Sequence, residues 1–291
     1  MDLQLHEVRH PNPVSQNNYD NLIAIDEQKS ALLNTLHLFF DTDKVSKWHQ
    51  KYHQSKLTFF ENIVSGTPLI ILEGDVGCGK TALAHTIATP LGKLINKRVL
   101  CFETPSNIRG AGRVGEISNR ITEAFTQAKD KVKGNDIGIL IIDEADDLAT
   151  DREQNQAHHE DRAGLNVLIK QIDSVGREKS NLAVVLITNR LKALDPAVVR
   201  RATQIIRFER PDKEARKEVF RFIFSGTDIS AKEIDELVKA SERKGVGYSF
   251  SDLIQKIAKQ ALFKAIEEDK AFDKNLYLKL LEKVQPSPSI K

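Results

Sequence analysis

The chain contains one octapeptide whose residue types and spacing suit phosphate chemistry, Gly-Asp-Val-Gly-Cys-Gly-Lys-Thr at positions 74–81. Glycines let the backbone fold tightly around phosphate oxygens, so that successive N–H groups point at the anion. Lys80 can then reach the β- and γ-phosphates, and the Thr81 hydroxyl can ligate Mg²⁺. A chance glycine-rich turn is the alternative. The loop predicts binding of a nucleoside triphosphate through Asp75, Val76, Gly77, Cys78, Gly79, Lys80, Thr81 and Ala82.

The residues on either side of the octapeptide predict the elements that must position it. An apolar run at 68–72 predicts a buried strand before the loop, and residues 82–84 predict the start of a helix after it. That helix would aim the positive end of its dipole at the same anion. Strand, loop and helix in this order form the context that a phosphate-binding loop needs, so they disfavour the chance turn.

A second apolar run, Ile-Gly-Ile-Leu-Ile-Ile at 137–142, predicts a central parallel strand that is buried on both faces. It ends in Asp143-Glu144, and adjacent side chains of a strand diverge, so the two carboxylates can take different tasks. Asp143 suits the Mg²⁺ shell, and Glu144 can polarise a water for attack on the γ-phosphate. A strand that simply stops at a polar loop is the alternative. Because the pair follows a phosphate-binding loop, we interpret it as hydrolytic.

A third buried strand, predicted at 182–187, ends in Thr188-Asn189. Asn189 could orient the attacking water or contact the γ-phosphate, although an asparagine that only opens a turn is common. The short helical segment 195–201 ends in Arg200-Arg201. Arginine is well suited to a transferring phosphoryl group because its charge is permanent and its fork matches oxygens. By itself, the arginine pair is more typical of a solvated face.

Together these segments resemble the Walker A, Walker B, sensor 1 and arginine-finger elements of AAA+ ATPases, in order and spacing, over residues 19–285. The resemblance implies ATP and Mg²⁺ as cofactors, and it implies an α/β fold: a P-loop AAA+ module whose parallel five-stranded sheet is flanked by helices, followed by a small all-helical lid domain. An arginine finger in this family acts on the ATP of the neighbouring subunit, which implies a homohexameric ring with Arg201 as the better candidate and Arg200 close behind. Residues 19–23 resemble the segment that packs on adenine, which assigns Asn21, Leu22 and Ile23 to the nucleotide.

The expected organisation is an N-terminal tail at 1–18, a large α/β ATP-binding domain at 19–211, a small helical lid domain at 212–285 and a C-terminal tail at 286–291. Stretches at 142–148, 164–173 and 201–211 resemble the pachytene-checkpoint-type remodellers of HORMA-domain proteins. Eukaryotic members carry a folded N-terminal domain, for which residues 1–18 are too few. The compact form resembles the bacterial versions associated with cyclic-nucleotide antiphage (CBASS) systems. This resemblance implies an unfoldase that pulls a HORMA-domain protein through the ring and so disassembles an activating complex.

Two positions depart from the family pattern. Unfoldases usually place an aromatic-hydrophobic pair in the first pore loop, whereas Arg109, Arg113 and Val114 stand in the corresponding stretch here. The arginines could favour an acidic substrate or a nucleic-acid phosphate, or they could be solvated residues of a flexible glycine-rich loop. The family often has an arginine (sensor 2) where Ser251 falls, which leaves lid coupling to the γ-phosphate in doubt.

Composition separates the remaining function classes. The net charge of +2 gives no strong basic field, so nucleic acid is a disfavoured partner. A nucleic-acid-acting AAA+ ATPase, such as a helicase loader or a transposition regulator, thus ranks second to the HORMA remodeller as a function. An ATP-gated scaffold is a weaker third hypothesis. No apolar run approaches the roughly twenty residues that span a membrane, and the N-terminus shows no signal pattern, so we expect a cytoplasmic protein with no membrane partner.

Two cysteines, Cys78 and Cys101, give no disulfide framework. Cys78 falls in the phosphate loop at a predicted helix N-terminus, where a thiolate is stabilised. One hypothesis is a redox or alkylation switch on ATP binding. The favoured one is that Cys78 is a small residue filling a variable position.

Overall fold

Two apolar strands that are buried along their whole length lie in the middle of the fold. In the computed structural model, which describes residues 3–53, 55, 57–58, 66–105, 108, 115–148, 159–178 and 180–289, every residue of the second and third predicted strands is buried. The described sheet has six strands in the order β1-β3-β4-β5-β2-β6. Their bounds are His6–His10 (β1), Leu69–Gly74 (β2), Val99–Glu103 (β3), Ile137–Ile142 (β4), Leu182–Thr188 (β5) and Gln204–Phe208 (β6).

Five of these strands form the predicted parallel sheet. The pairs β3–β4, β4–β5 and β5–β2 are parallel. Strand β6 runs alongside β2 in the same direction, since the Thr203 amide donates to the Leu69 carbonyl and the Asp75 amide donates to the Phe208 carbonyl. In a parallel sheet the carboxyl ends of the strands share one edge, so the segments that follow β2, β4 and β5 emerge at the same edge. The fold class is thereby confirmed.

The sixth strand corrects the expectation of a tail at 1–18. Strand β1 pairs antiparallel with β3, from His6 opposite Glu103 to His10 opposite Val99. Leu3 and Leu5 are buried in the core, and the Leu3 carbonyl accepts a 2.6 Å hydrogen bond from the Gln127 side chain. The segment orders because it buries two leucines and completes the main-chain hydrogen bonds at the edge of β3.

Helices cover the sheet, and the helix Glu116–Lys131 buries the stripe that its spacing predicts: Ile117, Ile121, Phe125 and Ala128. The helices and single turns that accompany the strands are Pro13–Asp20, Asp26–Phe40, Thr42–Tyr52, Lys80–Thr86, Ala88–Ile95, Glu116–Lys131, Ala145–Leu148, His159–Arg177, Leu191–Ala193 (3₁₀) and Pro196–Val199. Within the described ranges, no helix is both long and apolar enough to cross a bilayer.

The described chain divides into two units. One comprises residues 1–19, 27–73 and 81–207, and the other comprises residues 20–26, 74–80 and 208–291. The second unit has an apolar core around Phe220, Phe224, Tyr248 and Tyr277. The domain boundary near residue 211 stays a prediction. The second unit contains the helices Lys213–Ile223, Ala231–Ala240, Lys259–Glu267 and Lys274–Lys283, and the π-helical segment Asp252–Ala258.

The two ends of the last helical region differ from the sequence expectation. Apolar residues at helical spacing in 251–267 predict a single helix, but the segment begins as a seven-residue π-helix, Asp252–Ala258. The Leu253 carbonyl within that segment accepts a 3.0 Å hydrogen bond from the Tyr277 hydroxyl. The expected tail at 286–291 is held at Ser287, whose amide and hydroxyl donate to the Asp252 carboxylate at 3.0 and 2.6 Å. Polar contacts to a buried carboxylate therefore order a segment that its composition predicts to be loose.

One helix contact gives a stability prediction. A Cβ added at Gly164 would lie 2.4 Å from Cγ2 of Ile117, where the helix His159–Arg177 meets Glu116–Lys131. Alanine normally favours a helix over glycine by about 1 kcal/mol. Here overpacking reverses the sign, so Gly164→Ala should lower the free energy of unfolding by about 1–3 kcal/mol. Denaturant titration measures this, with exposed Lys170→Ala as the control, expected within about 0.5 kcal/mol of the parent. Stabilisation by Gly164→Ala would contradict the contact.

Candidate functional site

The phosphate loop follows a path that requires its glycines. Strand β2 ends at Gly74 and the next helix starts at Lys80, as the sequence predicts. Gly74, Gly77 and Gly79 have φ angles of +137°, +73° and +96°, which residues other than glycine rarely adopt. A Cβ at Gly74 would lie 1.9 Å from the Phe208 carbonyl oxygen. The backbone conformation favours glycine at all three positions, and at Gly74 there is also no space for a Cβ atom.

Lys80 is held within this loop. Its side chain is 5% exposed, and Nζ donates to the Gly74 carbonyl at 2.9 Å and to the Asp75 carbonyl at 2.7 Å. A hydrogen bond from an ammonium to a charged phosphate oxygen is roughly twice as strong as one between neutral groups. Phosphate oxygens would thus compete well with these carbonyls for the ammonium. The Lys80 head group is therefore held at the loop by two main-chain carbonyls.

The loop is packed closely by residues from the C-terminal part of the chain. The Ser251 amide donates to the Gly77 carbonyl at 3.0 Å. A Cβ at Gly77 would lie 2.7 Å from Oγ of Ser249 and 2.9 Å from Cβ of Ser251. Serine at position 251 thus makes a direct main-chain contact with the loop, where the family resemblance leads us to expect an arginine.

The expected adenine segment lies in the same unit as the loop. Asn21 is exposed, and Leu22 and Ile23 are partly buried. The next apolar residue, Ile25, has its Cδ1 3.5 Å from the position of a Cβ on Gly79. Ile25 is buried, so it supports the loop from beside the predicted adenine residues. Its role was missed because a single isoleucine before a polar helix start carries no periodic signal.

The predicted metal ligands lie next to each other. Asp143 directly follows β4, and its Oδ2 accepts a 2.8 Å hydrogen bond from the Thr81 hydroxyl. Asp143 Oδ1 accepts the Glu144 amide at 2.7 Å. A carboxylate and a hydroxyl are hard oxygen donors, which Mg²⁺ prefers. The donor chemistry and the spacing of Thr81 and Asp143 therefore fit a magnesium ion.

Glu144 differs from Asp143 in both backbone and exposure. Its φ is +51°, a conformation that costs an ordinary residue about 1 kcal/mol or more, and its side chain is exposed. Strain of this kind persists only where the surroundings enforce it, here by the buried strand before Glu144 and the buried Ala145 after it. Asp143 contacts Thr81, whereas the Glu144 side chain is exposed, so the two adjacent carboxylates have different surroundings.

A network that sequence reasoning missed joins the ends of β4 and β5. Asp146 is 7% exposed, and its carboxylate accepts 2.8 Å hydrogen bonds from the Thr188 hydroxyl and from Nε of Arg190. The Arg190 amide donates to the Thr188 hydroxyl at 2.9 Å. Asn189 lies between these two residues, so the network fixes its backbone relative to the turn after Glu144. From the sequence alone, Asp146 is expected to be only a solvated neighbour of Asp143-Glu144, because no local pattern links it to Thr188 or Arg190.

The two predicted finger residues have different surroundings. Arg201 Nε and Nη2 donate to the Asp173 carboxylate at 2.7 and 3.0 Å, and Nη1 donates to the Ala197 carbonyl at 2.7 Å. Arg200 is exposed and lines a cavity of about 350 Å³ with Arg201 and Lys170. Arg201 is therefore anchored within its own subunit, whereas Arg200 is exposed at the rim of this cavity. The three predicted pore-loop residues, Arg109, Arg113 and Val114, lie outside the described residues.

Both thiols are buried, and burial changes their chemistry. Desolvation raises the pKa of the Cys78 thiol to about 11, and the nearby Asp75 carboxylate adds to the effect. Burial likewise raises the pKa of Cys101 to about 12. The switch hypothesis requires a stabilised Cys78 thiolate, whereas burial here favours the neutral thiol. The geometry instead favours Cys78 as a small filler, 1% exposed.

The thiol pKa values predict slow alkylation of the folded protein. A pKa raised from 9.0 to about 11 lowers the thiolate fraction about a hundredfold. At pH 8, iodoacetamide should therefore modify Cys78 about a hundredfold more slowly than it modifies free cysteine, and the rate should rise steadily with pH. Intact-mass spectrometry with peptide mapping measures the rates, and protein unfolded in guanidinium is the control. Ordinary reactivity of Cys78 in the folded state would contradict this.

Comparison with known proteins places these features in a family. A family model described as "ATPase family associated with various cellular activities (AAA)" matches residues 70–210. The curated relative CD-NTase-associated protein 6 of Escherichia coli (strain MS 115-1) is 34% identical over 293 residues, covering 97% of this chain and 94% of its own length.

Solved structures show the same similarity. A chain in "Structure of E. coli MS115-1 HORMA:CdnC:Trip13 complex" is 33% identical, with a TM-score of 0.92, covering 99% of this chain and 98% of that chain. A chain in "Structure of Rhizobiales Trip13" is 29% identical, with a TM-score of 0.75, covering 97% and 98%. The phosphate loop, the acidic pair after β4 and these full-length matches show that the chain belongs to the AAA ATPases, together with the CD-NTase-associated protein 6 relatives.

Proposed function

We propose that this ATPase uses Mg-ATP hydrolysis to pull on a HORMA-domain protein, and that it disassembles an activating complex in bacterial antiphage signalling in the cytoplasm. The observation that carries the proposal is the TM-score of 0.92, over 99% of this chain, with a chain of a HORMA:CdnC:Trip13 complex. A similarity that spans both units supports a shared activity better than a match to the AAA region alone would.

The phosphate loop would bind the triphosphate through main-chain amides of residues 76–80 and through Lys80. The ammonium would exchange the Gly74 and Asp75 carbonyls for phosphate oxygens. Asn21, Leu22 and Ile23 would contact the adenine, and Ala82 would continue the loop into the helix Lys80–Thr86. This assignment agrees with the left-handed glycines, whose backbone amides can converge on an anion.

Thr81 and Asp143 would hold Mg²⁺, because their oxygens already lie 2.8 Å apart. The ion, when bound, neutralises charge on the phosphate oxygens. Glu144 would take a proton from the attacking water, since its side chain is exposed at the turn that follows Asp143. Asn189 would orient that water, held in place by the Asp146–Arg190 network.

The remaining assignments concern the assembly. A homohexameric ring would bring Arg200 or Arg201 of one subunit to the ATP of the next. Arg109, Arg113 and Val114 would contact the substrate segment in the central pore. The anchoring of Arg201 by Asp173 supports Arg200 as the residue that reaches across the interface, with Arg201 setting the orientation of the segment. A nucleic-acid motor is the competing function, and the near-neutral net charge of +2 disfavours it.

The function is tested by trapping the substrate. Glu144→Gln should bind ATP without hydrolysing it, because the amide cannot accept the proton of the water. Purified from its native host in ATP, this variant should retain a HORMA-domain protein, identified by mass spectrometry. Lys80→Ala, which lacks the phosphate ligand, is the matched control and should retain none. Retention of nuclease-sensitive material without a protein partner would favour the nucleic-acid motor instead.

The finger assignment predicts complementation between inactive variants. Arg200→Ala should lower kcat for ATP hydrolysis at least about a hundredfold without preventing ATP binding, since a finger acts on the transition state. Mixing Arg200→Ala with Lys80→Ala subunits should restore part of the activity, because each Lys80→Ala subunit supplies Arg200 to an intact neighbouring site. Coupled ATPase assays measure both effects.

Two further variants separate Arg200 from Arg201. Asp173→Asn should reproduce the loss in Arg201→Ala if Arg201 acts through its ion pair, since both changes remove the anchor. If mixed rings of Arg200→Ala and Lys80→Ala form but stay inactive, and Arg201→Ala mixtures recover, then Arg201 is the finger.

A further inference from the structure

The phosphate loop carries a negative charge of its own. Asp75 follows the first glycine of the loop, and its carboxylate is 13% exposed. Oδ1 accepts the Val76 amide at 2.9 Å, and Oδ2 accepts Nε of Arg210 at 2.6 Å. The Asp75 carbonyl is one of the two acceptors of the Lys80 ammonium. An acidic side chain is thus built into the segment that would receive the polyphosphate.

A carboxylate at this place opposes the ligand of the loop. Two like charges repel by about 2 kcal/mol at roughly 8 Å under an effective dielectric constant of about 20. Each negative charge of a triphosphate would experience such repulsion from Asp75. Arg210, itself 12% exposed, supplies the compensating positive charge in direct contact with Asp75. Because both side chains are largely shielded from water, solvent does not replace this compensation.

Arg210 is held from its other side by the C-terminal segment. Its Nη2 donates to the carbonyls of Ser287 at 2.9 Å and Pro288 at 3.1 Å, and its Nη1 donates to the Gly247 carbonyl. A guanidinium has five N–H donors in a rigid plane, so these contacts fix the direction of Nε toward Asp75.

The segment that holds Arg210 is itself anchored by a buried carboxylate. Asp252 is fully buried, and its oxygens accept the Ser287 hydroxyl at 2.6 Å and Nζ of Lys256 at 2.8 Å. Although burial opposes ionisation, hydrogen bonds from Lys256 and Ser287 keep the pKa of Asp252 below its usual range. Asp252 also lies 3.9 Å from Arg210. A continuous chain of contacts thus runs from Asp252 through Ser287 and Arg210 to Asp75.

From these contacts we infer that Arg210 is a positioning residue for ATP binding, which neutralises and orients Asp75 of the phosphate loop, and that Ser287 near the C-terminus holds Arg210 in place. The inference rests on the proposed ATP site. It assigns a role to Arg210, which follows β6, and to the C-terminal segment that contacts it.

The test separates charge compensation from mere structural support. Arg210→Gln should raise KM for ATP about tenfold and change kcat by less than about twofold, with a larger KM effect at low salt. The double variant Asp75→Asn/Arg210→Gln should return KM to within about threefold of the parent, because it removes the uncompensated charge. Arg207→Gln is the matched control. Arg207 lies three positions before Arg210 and pairs with Glu73 on β2, so this change should leave KM for ATP unaltered.

The C-terminal part of the inference has its own pair of variants. Ser287→Asp places a second carboxylate against Asp252 and should raise KM for ATP in the same direction as Arg210→Gln. Ser289→Asp adds the same charge two residues further on and should leave KM unchanged. In the Arg210→Gln background, Ser287→Asp should add little, because both changes act through one contact. These variants also serve if Arg210→Gln proves too unstable to purify.

Each outcome decides between the possibilities. If the parent protein binds no ATP in calorimetry, the proposed function fails. If the parent binds ATP but Arg210→Gln and Ser287→Asp have the parental KM, only this inference is overturned. Failure of Asp75→Asn to rescue Arg210→Gln, with unchanged thermal unfolding temperatures, would show that Arg210 supports the loop by another route than charge. Rescue together with the Ser287 effect establishes the positioning role.

Discussion

The tight turn of the phosphate loop constrains everything built around it. Gly74 faces the Phe208 carbonyl, and Gly77 faces Ser249 and Ser251, with no room for a side chain at either glycine. The loop can adopt this path only because main-chain groups of later segments pack directly on it, through the Phe208 carbonyl and the Ser251 amide. The path of the loop is thus tied to the positions of those later segments.

Carboxylates near the functional segments fall into two classes. Asp75, Asp146 and Asp173 each contact an arginine at 2.6–2.8 Å. Asp143 instead accepts hydrogen bonds from a neutral hydroxyl and a neutral amide. Pairing with a guanidinium compensates the charge of the first class and fixes its geometry, whereas the hydrogen-bond donors to Asp143 among the described residues include no cationic side chain. Asp143 therefore differs in its surroundings from the three carboxylates that pair with arginine.

The sequence predicted those parts of the fold that depend on local patterns. Continuous apolar runs identified the buried strands, and helical spacing identified the stripe of Glu116–Lys131. Strand β1 was missed because an edge strand needs few apolar residues, and His-Glu-Val-Arg-His reads as a polar tail. The π-helical start at Asp252 also leaves no signature, since its residues keep an ordinary helical pattern.

The candidate site likewise contains residues that local sequence patterns predict and residues that they do not. Residue types and spacing predict roles for Lys80, Thr81, Asp143 and Glu144, because phosphate and metal chemistry restrict which residues suit those roles. The pairs Asp146–Arg190, Asp173–Arg201 and Asp75–Arg210 join residues that are 44, 28 and 135 positions apart. No periodicity links such partners, since a charged residue in a sequence is equally compatible with solvent. Long-range ion pairs therefore become visible only when the fold brings the two residues together.

Strand β1 has a consequence for how the chain behaves in solution. It is the outermost strand of the described sheet on the side of β3, and it is only five residues long. His6 and Arg9 are exposed on it, and Lys131 pairs with Glu7. Short edge strands that carry charged side chains resist pairing with strands of other molecules, because docking would bury those charges. The polar and charged side chains of β1, which make the strand hard to predict from the sequence, therefore also disfavour edge-to-edge aggregation of the sheet.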